Sequence, residues 1–298
     1  MLKVKRLVPS RGCDLYLLQT EEKAAVLDTG MFHCAEQTVA VIREALEGRH
    51  PDFVLLTHTH YDHVGGIPAI RKAFPGIKVY GSAYAAYVLQ RPGARKVMRQ
   101  LGLEAAKTYI GEDAELDAFD ENALCVDEII GEGDEIDLGS RRLRVYETPG
   151  HTTCSLTFYE PEDKILLLSE STGVYVDPTW VDVSILTGYG QTMDSIEKCK
   201  ALGAETLYVS HYGKISDLSP EAYFTLAKNS AAAFKELVLK EWENGCCDED
   251  VMQACREQIW ASKVQGHEDQ PIAAFDANTK AFLHVLRKEF PVSSKIRE

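Results

Sequence analysis

The sequence lacks any long hydrophobic run. None of its segments approaches the roughly 18 consecutive apolar residues that a membrane-spanning helix needs. The opening residues, MLKVKRLVPSRGCDLYLL, are interrupted by charges, so they do not resemble the apolar centre of a secretory signal peptide. We therefore expect a protein that is neither inserted in a membrane nor exported, and we expect it in the cytoplasm.

Cysteine pairs with the spacing of a zinc site are also absent. The eight cysteines, at positions 13, 34, 125, 154, 199, 246, 247 and 255, are scattered along the chain. Their spacing fits neither a thiolate zinc site nor the dense framework of a small disulfide-rich domain. Together with the missing export signal, this predicts reduced thiols.

Basic residues are scarce relative to acidic ones. The chain has 32 Lys and Arg against 46 Asp and Glu, a net charge of −14, which would repel a phosphate backbone and argues against nucleic acid as a partner. Between Glu104 and Asp137, thirteen acidic residues accompany one basic residue, Lys107, so this stretch carries −12. We expect a solvated, partly irregular insertion near residues 91–134; a calcium site and a gate that disfavours anionic ligands are the alternatives.

The remaining pattern alternates short apolar runs with helical periodicity, which is typical of sheets covered by helices. After residue 218 the pattern becomes helical throughout, beginning at Ser219-Pro220, a typical helix start. We therefore divide the chain into a body of residues 1–218 and a helical extension of residues 219–298. Strands are predicted at 3–8, 14–19, 24–28, 53–56, 78–80, 135–138, 142–147, 164–169 and 206–210, and helices at 35–47, 67–74, 83–90, 192–202, 250–264 and 277–289.

The run LLTHTHYDHVGG places four side chains that can bind metal directly after an apolar strand. In an extended loop, side chains two residues apart point the same way, so His58 and His60 can hold one metal ion while Asp62 and His63 turn toward a second. Burying such groups together is costly, and a divalent cation is the usual compensation. The loop therefore predicts a metal site.

Three further candidates each lie near the end of a predicted strand. His151 lies in ETPGHT, Glu170 ends ILLLSE, and His211 ends LYVSH. For Glu170 and His211, a charged or metal-binding side chain at the tip of so apolar a strand belongs at the mouth of the fold rather than in its core, and His151 lies in a turn that directly follows the predicted strand 142–147. We expect all three to complete the metal site.

With these residues in this order, the sequence resembles the metallo-β-lactamase superfamily over at least residues 14–213. The resemblance implies a four-layer αββα sandwich and gives Asp28, in VLDTG, a supporting role behind the metal loop. It implies that His58, His60 and His151 bind one metal ion, that Asp62, His63 and His211 bind the other, and that Glu170 bridges them. Most dinuclear members have Asp where this chain has Glu170, so binding of a single metal by this carboxylate stays open.

The resemblance implies hydrolysis by a hydroxide held between two divalent metal ions, with zinc favoured over iron or manganese. Asp62 is the predicted catalytic residue, because a ligand that also touches the attacking water can shuttle its proton. The helical extension resembles in position the C-terminal helices of glyoxalase II and related thioesterases, which favours a small thioester as substrate. Tyr175, Tyr189, Tyr212 and Lys214 lie near ligand segments and are candidate substrate contacts.

Two other function classes stay open. One is a ligand-binding or regulatory protein with little turnover. The other is a redox protein similar to the flavodiiron family, although that family typically has a carboxylate where this chain has His60. The extension could also dock on a second copy, which would make the protein a homo-oligomer.

Overall fold

The computed structural model describes residues 1–116, 119–264 and 271–291. The parts of the predicted insertion and extension at 117–118, 265–270 and 292–298 lie outside the described residues. No helix of the described part is long and apolar enough to cross a membrane. All eight cysteines are free.

The first sheet is built by the apolar runs of the N-terminal half. Its strands are β1 (Lys3–Ser10), β2 (Cys13–Gln19), β3 (Ala24–Leu27), β4 (Phe53–Leu55), β5 (Lys78–Gly81) and β6 (Glu128–Ile129), in that spatial order. The first three strands are antiparallel, and β3 to β6 are parallel. Every residue of β3 and β4 is buried, as expected of strands covered on both faces.

The second sheet has the order β14-β13-β10-β9-β8-β7. Its strands are β7 (Glu135–Asp137), β8 (Arg142–Glu147), β9 (Leu156–Glu160), β10 (Ile165–Leu167), β13 (Thr206–Val209) and β14 (Gly213–Lys214), and a separate hairpin joins β11 (Val174–Asp177) to β12 (Trp180–Asp182). The short strands β6, β9, β11, β12 and β14 are not among the predicted ones.

The two sheets pack face to face. One apolar cluster joins Leu18, Leu27 and Leu55 of the first sheet to Val145, Phe158 and Leu167 of the second. The outer face of the first sheet is covered by α1 (Ala35–Ala45) and α3 (Ile67–Ala73), and that of the second by α6 (Tyr189–Ala201) and α7 (Pro220–Glu243). The predicted four-layer αββα sandwich is confirmed.

The insertion is more ordered than its charge suggests. The short helices α2 (Tyr61–Val64) and α4 (Ala83–Leu89) are followed by α5 (Pro92–Tyr109), so the predicted irregular stretch begins as an 18-residue helix. One side of α5 is buried through Met98, Ala105 and Ala106. Most of the acidic residues lie after this helix. The net charge of the whole stretch therefore gives no indication that α5 has an apolar face.

The helical extension packs on the same chain. Ser219 caps α7 through the N–H of Ala222, which confirms the predicted helix start. The helix α8 (Asp248–Cys255), the following π-helix (Arg256–Val264) and α9 (Ile272–Glu289) bury apolar side chains in one cluster with the second sheet. Both α6 and α9 begin earlier than predicted. Glu289 accepts hydrogen bonds of 3.0 Å from the N–H groups of Tyr189 and Gly190, which stabilises the start of α6 from a distant part of the chain.

Because the extension shares its core with the sandwich, it should unfold with the body. Phe282 of α9 is 2% exposed, and its ring lies 5.1 Å from that of Phe234 on α7. We expect Phe282→Ala to lower the free energy of unfolding by about 3–5 kcal/mol, in a single urea transition followed by circular dichroism. The exposed neighbour change Lys280→Ala should alter it by less than about 0.5 kcal/mol. A separate early transition for the extension would contradict this view.

Candidate metal centre

The histidine loop is held in place by the end of β4 and by the close packing of a glycine, Gly66. The loop leaves the sheet after Leu55, and His60 precedes α2, where its carbonyl accepts the N–H of His63 at 3.0 Å. A Cβ at Gly66 would lie 2.2 Å from the Thr29 carbonyl oxygen, so only glycine allows this approach. The loop is therefore fixed against the turn that follows β3.

The other three candidates come from loops that follow strands of the second sheet. His151 follows β8 and Gly150, where a Cβ would lie 2.3 Å from Thr192 Oγ1. Glu170 begins a 3-10 turn shortly after β10, rather than ending the strand itself, and His211 follows β13. The structure brings all seven predicted side chains together at one edge of the sandwich.

These side chains form two groups that could each hold a metal ion. His58, His60 and His151 form the first, and Asp62, His63, Glu170 and His211 form the second. Within each group the potential ligand atoms lie within 4.8 Å of one another. Among the residues that the structure describes these are the two such clusters, so the alternative of a calcium site in the acidic insertion is not supported there.

Hydrogen bonds behind the first group fix which imidazole nitrogen faces inward. Thr57 Oγ1 lies 2.7 Å from Asp28 Oδ2 and 3.0 Å from His58 Nδ1. Since a carboxylate only accepts, the hydroxyl donates to Asp28 and accepts from His58 Nδ1–H. This leaves His58 Nε2 unprotonated, and it is buried without a hydrogen-bond partner. An orphaned lone pair of this kind suits a metal ion.

His151 has the same arrangement. Its Nδ1 lies 2.9 Å from the Ser184 carbonyl oxygen, which can only accept, so Nε2 carries the lone pair. That Nε2 lies 3.0 Å from His60 Nδ1 and 3.2 Å from Glu170 Oε2. Electron-rich atoms facing each other at these distances require a proton or a cation between them.

The second group surrounds one oxygen of Glu170. Its Oε1 lies 2.8 Å from His63 Nε2 and 3.1 Å from His211 Nε2. Asp62 Oδ2 lies 3.6 Å from each of the same two nitrogens. Behind His63, Nδ1 lies 2.9 Å from Asp28 Oδ2, so the Asp28 carboxylate contacts the metal loop from behind.

Glu170 contacts both groups. One of its oxygens faces His63 and His211, and the other faces His151. Burial raises the pKa of its carboxyl, but the imidazoles, His151 first, outweigh burial and hold it well below its ordinary value. The Glu170 carboxylate is therefore an anion that lies between the two ligand groups.

The protein environment keeps two imidazoles of the first group neutral. Burial, together with the neighbouring His63, lowers the pKa of His58 well below its ordinary value. Burial also lowers the pKa of His60 to about 4. Metal ions bind neutral imidazole, so these two side chains need no deprotonation at neutral pH.

In the second group, the neighbouring carboxylates outweigh burial and raise the pKa values of the imidazoles. Burial lowers the pKa of His63, but Asp62 and other carboxylates raise it well above its ordinary value. Burial lowers the pKa of His211 as well, but the neighbouring carboxylates of Asp14 and Glu170 outweigh burial and raise it to about 10. Divalent cations can replace these protons, because the same carboxylates that attract a proton attract a metal.

Besides Thr57, sequence reasoning missed three residues that position the ligands. Asp14 of β2 is 2% exposed, forms an ion pair with Arg6 and lies 3.7 Å from His211 Nδ1. Ser184 accepts from His151 through its carbonyl, and its hydroxyl oxygen lies 3.2 Å from Asn278 Nδ2 of α9. A carboxylate inside the apolar run CDLYLL is a signal that could have identified Asp14; the sequence offers no comparable signal for the other two.

A narrow cavity of about 110 Å³ lies over the ligands, and the beginning of α9 borders it. Of the four predicted substrate contacts, Tyr212 lines this cavity. Tyr175 instead donates to Asp217 at 2.6 Å, and Tyr189 packs its ring 5.5 Å from that of Phe290. Lys214 is exposed on β14. The structure does not bring these last three to the ligands, and their role in substrate binding stays a prediction.

Comparison with known proteins agrees with this geometry. Residues 8–211 match the family model of the metallo-beta-lactamase superfamily. The chain belongs to this superfamily. A metallo-beta-lactamase family protein from Thermus thermophilus has the same fold, with a TM-score of 0.63, 22% identity and coverage of 97% of this chain and 93% of that one.

Two curated relatives match parts of the chain. A metallo-beta-lactamase fold-containing protein of Sulfurisphaera tokodaii is 26% identical over 168 residues, which are 55% of this chain and 62% of that protein. A hydroxyacylglutathione hydrolase of Stenotrophomonas maltophilia is 25% identical over 146 residues, 49% of this chain and 41% of that enzyme. The chain thus spans less than two thirds of the length of these relatives.

The support from Asp28 can be tested by metal binding. Asp28→Asn keeps the size of the side chain, and asparagine tolerates the positive φ of 61° at this position. The amide cannot accept from both Thr57 and His63, so we expect zinc affinity, measured by competition with a chelating dye, to fall about 10- to 100-fold. Asp52→Asn, which changes the carboxylate that accepts from Ala24 N at the other end of β3, is the control. Equal affinities in all three proteins would contradict the assignment.

Proposed function

We propose that this protein is a metal-dependent hydrolase that cleaves a small ester-like substrate at a dinuclear site, with thioesters favoured and zinc as the preferred metal. The observation that carries the proposal is the clustering of three imidazoles beside the Glu170 carboxylate: His58 Nε2 lies 3.8 Å from its Oε1, and His151 Nε2 lies 3.2 Å from its Oε2 and 3.0 Å from His60 Nδ1. The Nδ1 atoms of His58 and His151 are hydrogen bonded to the protein. Their Nε2 lone pairs therefore face inward, where they could bind a cation.

Two further facts support hydrolysis of a thioester. The superfamily consists mostly of hydrolases, and a partial relative is named as a hydrolase of hydroxyacylglutathione. In this chain the beginning of α9 covers the ligands through Pro271, Ala274 and Asn278, as the predicted resemblance of the extension to thioesterase helices requires.

When bound, two divalent cations lower the pKa of water and polarise the substrate oxygen. The residues of the chain have two tasks: they orient the ligand side chains, and they transfer the proton. Glu170 holds the two ligand groups in fixed positions relative to each other, because each of its oxygens faces a different group. Ser184 and Thr57 fix the ring orientations of His151 and His58, which keeps the ligand nitrogens aimed at the cavity.

Asp62 is the proposed proton carrier. Its side chain is 18% exposed and lines the narrow cavity, and its Oδ2 faces His63 and His211 at 3.6 Å. Oδ1 is then the oxygen that takes up the proton of the attacking water and passes it to the leaving group. Tyr212, at the cavity wall, is placed to donate to the substrate.

The role of Asp62 predicts a specific kinetic defect. Asp62→Asn should lower kcat by about 10²- to 10⁴-fold, because the amide cannot accept the proton. The melting temperature should stay near that of the wild type, since the change is isosteric. Asp137→Asn, at an exposed carboxylate that pairs with Lys23, should leave kcat unchanged. A kcat for Asp62→Asn within about twofold of the wild type would remove Asp62 from the mechanism.

The reaction class can be tested with a substrate panel. Purified protein of known metal content is assayed against acyl thioesters, lactones and phosphodiesters. We expect thioester hydrolysis, its loss in His60→Ala, and normal activity in His50→Ala, which changes an exposed histidine against Phe74. Tight ligand binding without turnover would favour the regulatory alternative. Oxygen consumption with a reductase and a flavin donor would favour the redox one.

A further inference from the structure

A second, larger cavity of about 700 Å³ lies beside the first ligand group. Its volume falls within the range of about 300–1,000 Å³ that small-molecule sites occupy. His60, His151 and Asn278 border both this cavity and the narrow one over the ligands. A substrate whose reacting bond lies over the ligands can therefore extend into the larger cavity.

The larger cavity has apolar walls. Helices α4 and α5 supply one side, through residues such as Tyr84, Val97 and Leu101, and the beginning of α9 supplies another. These three side chains are 46%, 55% and 38% exposed, which is unusual for large apolar residues. Exposed apolar side chains gathered around a cavity are typical of a ligand site.

The charge of the walls excludes one class of ligand. Besides the histidines, Glu104 is the one charged side chain among the described residues that line the cavity, and none of these residues is Lys or Arg. Glu104 is also the first of the acidic residues that give residues 104–137 their charge of −12. Away from the metal centre, a carboxylate on a ligand would meet the Glu104 carboxylate, and no lysine or arginine among the described lining residues would offset the repulsion.

We propose that this cavity binds a neutral hydrocarbon acyl group, so the enzyme prefers esters and thioesters of medium-length fatty acyl groups and discriminates against acyl groups that carry a carboxylate. The proposal rests on the proposed function for the reaction and on the cavity alone for the specificity. It gives the insertion a role in the site: its helix α5 forms part of the acyl wall, beside α4, which precedes the insertion, and its acidic residues begin at the cavity.

The first test varies the acyl chain. Rates are measured for 4-nitrophenyl esters and matching thioesters from acetyl to octanoyl. Burial of each added methylene should raise kcat/KM about fourfold until the cavity is filled. Butanoyl should exceed succinyl, which adds a terminal carboxylate, by about tenfold or more. A flat chain-length profile together with equal butanoyl and succinyl rates would overturn the proposal while leaving the hydrolase function intact.

The second test changes the wall. Leu101→Glu and Leu101→Lys both remove an apolar contact on α5 without lowering helix propensity greatly, but they differ in charge. Each should lower the ratio of octanoyl to acetyl activity about tenfold, and the ratio of succinyl to butanoyl activity should be higher in Leu101→Lys than in Leu101→Glu. Ile110→Glu, at a 63% exposed residue just beyond α5 that does not line the cavity, should change neither ratio. Ratios in the Leu101 variants equal to those of the control would contradict the proposal.

A binding measurement separates this inference from the proposed function. Nile red, a neutral apolar dye, should bind the wild type with a saturable rise in fluorescence, octanamide should displace it, and Leu101→Glu should weaken binding about tenfold. If these results hold but no ester is cleaved, the cavity assignment stands and the hydrolase function fails. Dye binding that Leu101→Glu and octanamide do not affect would overturn the cavity assignment.

Discussion

The convergence of imidazole lone pairs on a buried carboxylate is the interaction on which the rest of this structure depends. His58 Nε2 is buried without a hydrogen-bond partner, and His151 Nε2 lies 3.0 Å from His60 Nδ1 and 3.2 Å from Glu170 Oε2. Such an arrangement is unfavourable in a low-dielectric interior unless positive charge enters it. The sandwich holds it because the ligand loops lie at the ends of buried strands and are hydrogen bonded to residues behind them.

Those outer hydrogen bonds explain why two sheets are needed. Asp28, from the first sheet, supports His63 and, through Thr57, His58. His151 comes from the second sheet, and its ring is fixed by Ser184. In addition, the Tyr16 hydroxyl of β2 donates to the Val209 carbonyl of β13, close to His211 in the chain, so the edge that carries the ligands is joined across the sheets.

The ligands could be predicted from sequence because each has a local signature. The residues from His58 to His63 are contiguous in the sequence, and His151, Glu170 and His211 each follow a strand. The resemblance implied that Glu170 bridges the two groups but left binding of a single metal open, because the residues alone do not show where a 3-10 turn places the carboxylate. Residues that act across long separations, such as Asn278 beside Ser184, leave no local pattern. Tyr175 is near the ligand Glu170 in the sequence, but its hydroxyl donates to Asp217 and the structure does not bring it to the ligands.

The net charge of the insertion gave no indication that this segment lines the larger cavity. The acidic composition predicts a solvated insertion, yet the insertion begins with a helix whose apolar residues pack inward and line a cavity. The extension contributes in the same way, because Glu289 fixes α9 against α6 and the beginning of α9 then lies over the ligands. Both additions to the sandwich thus shape access to one edge.

Anomalous diffraction from crystals grown with excess zinc is the most direct test of this account. It predicts two peaks, one contacted by His58, His60 and His151 and one by Asp62, His63 and His211, with the Glu170 carboxylate touching both. An absence of peaks under these conditions, or imidazole rings turned away from one another, would contradict it.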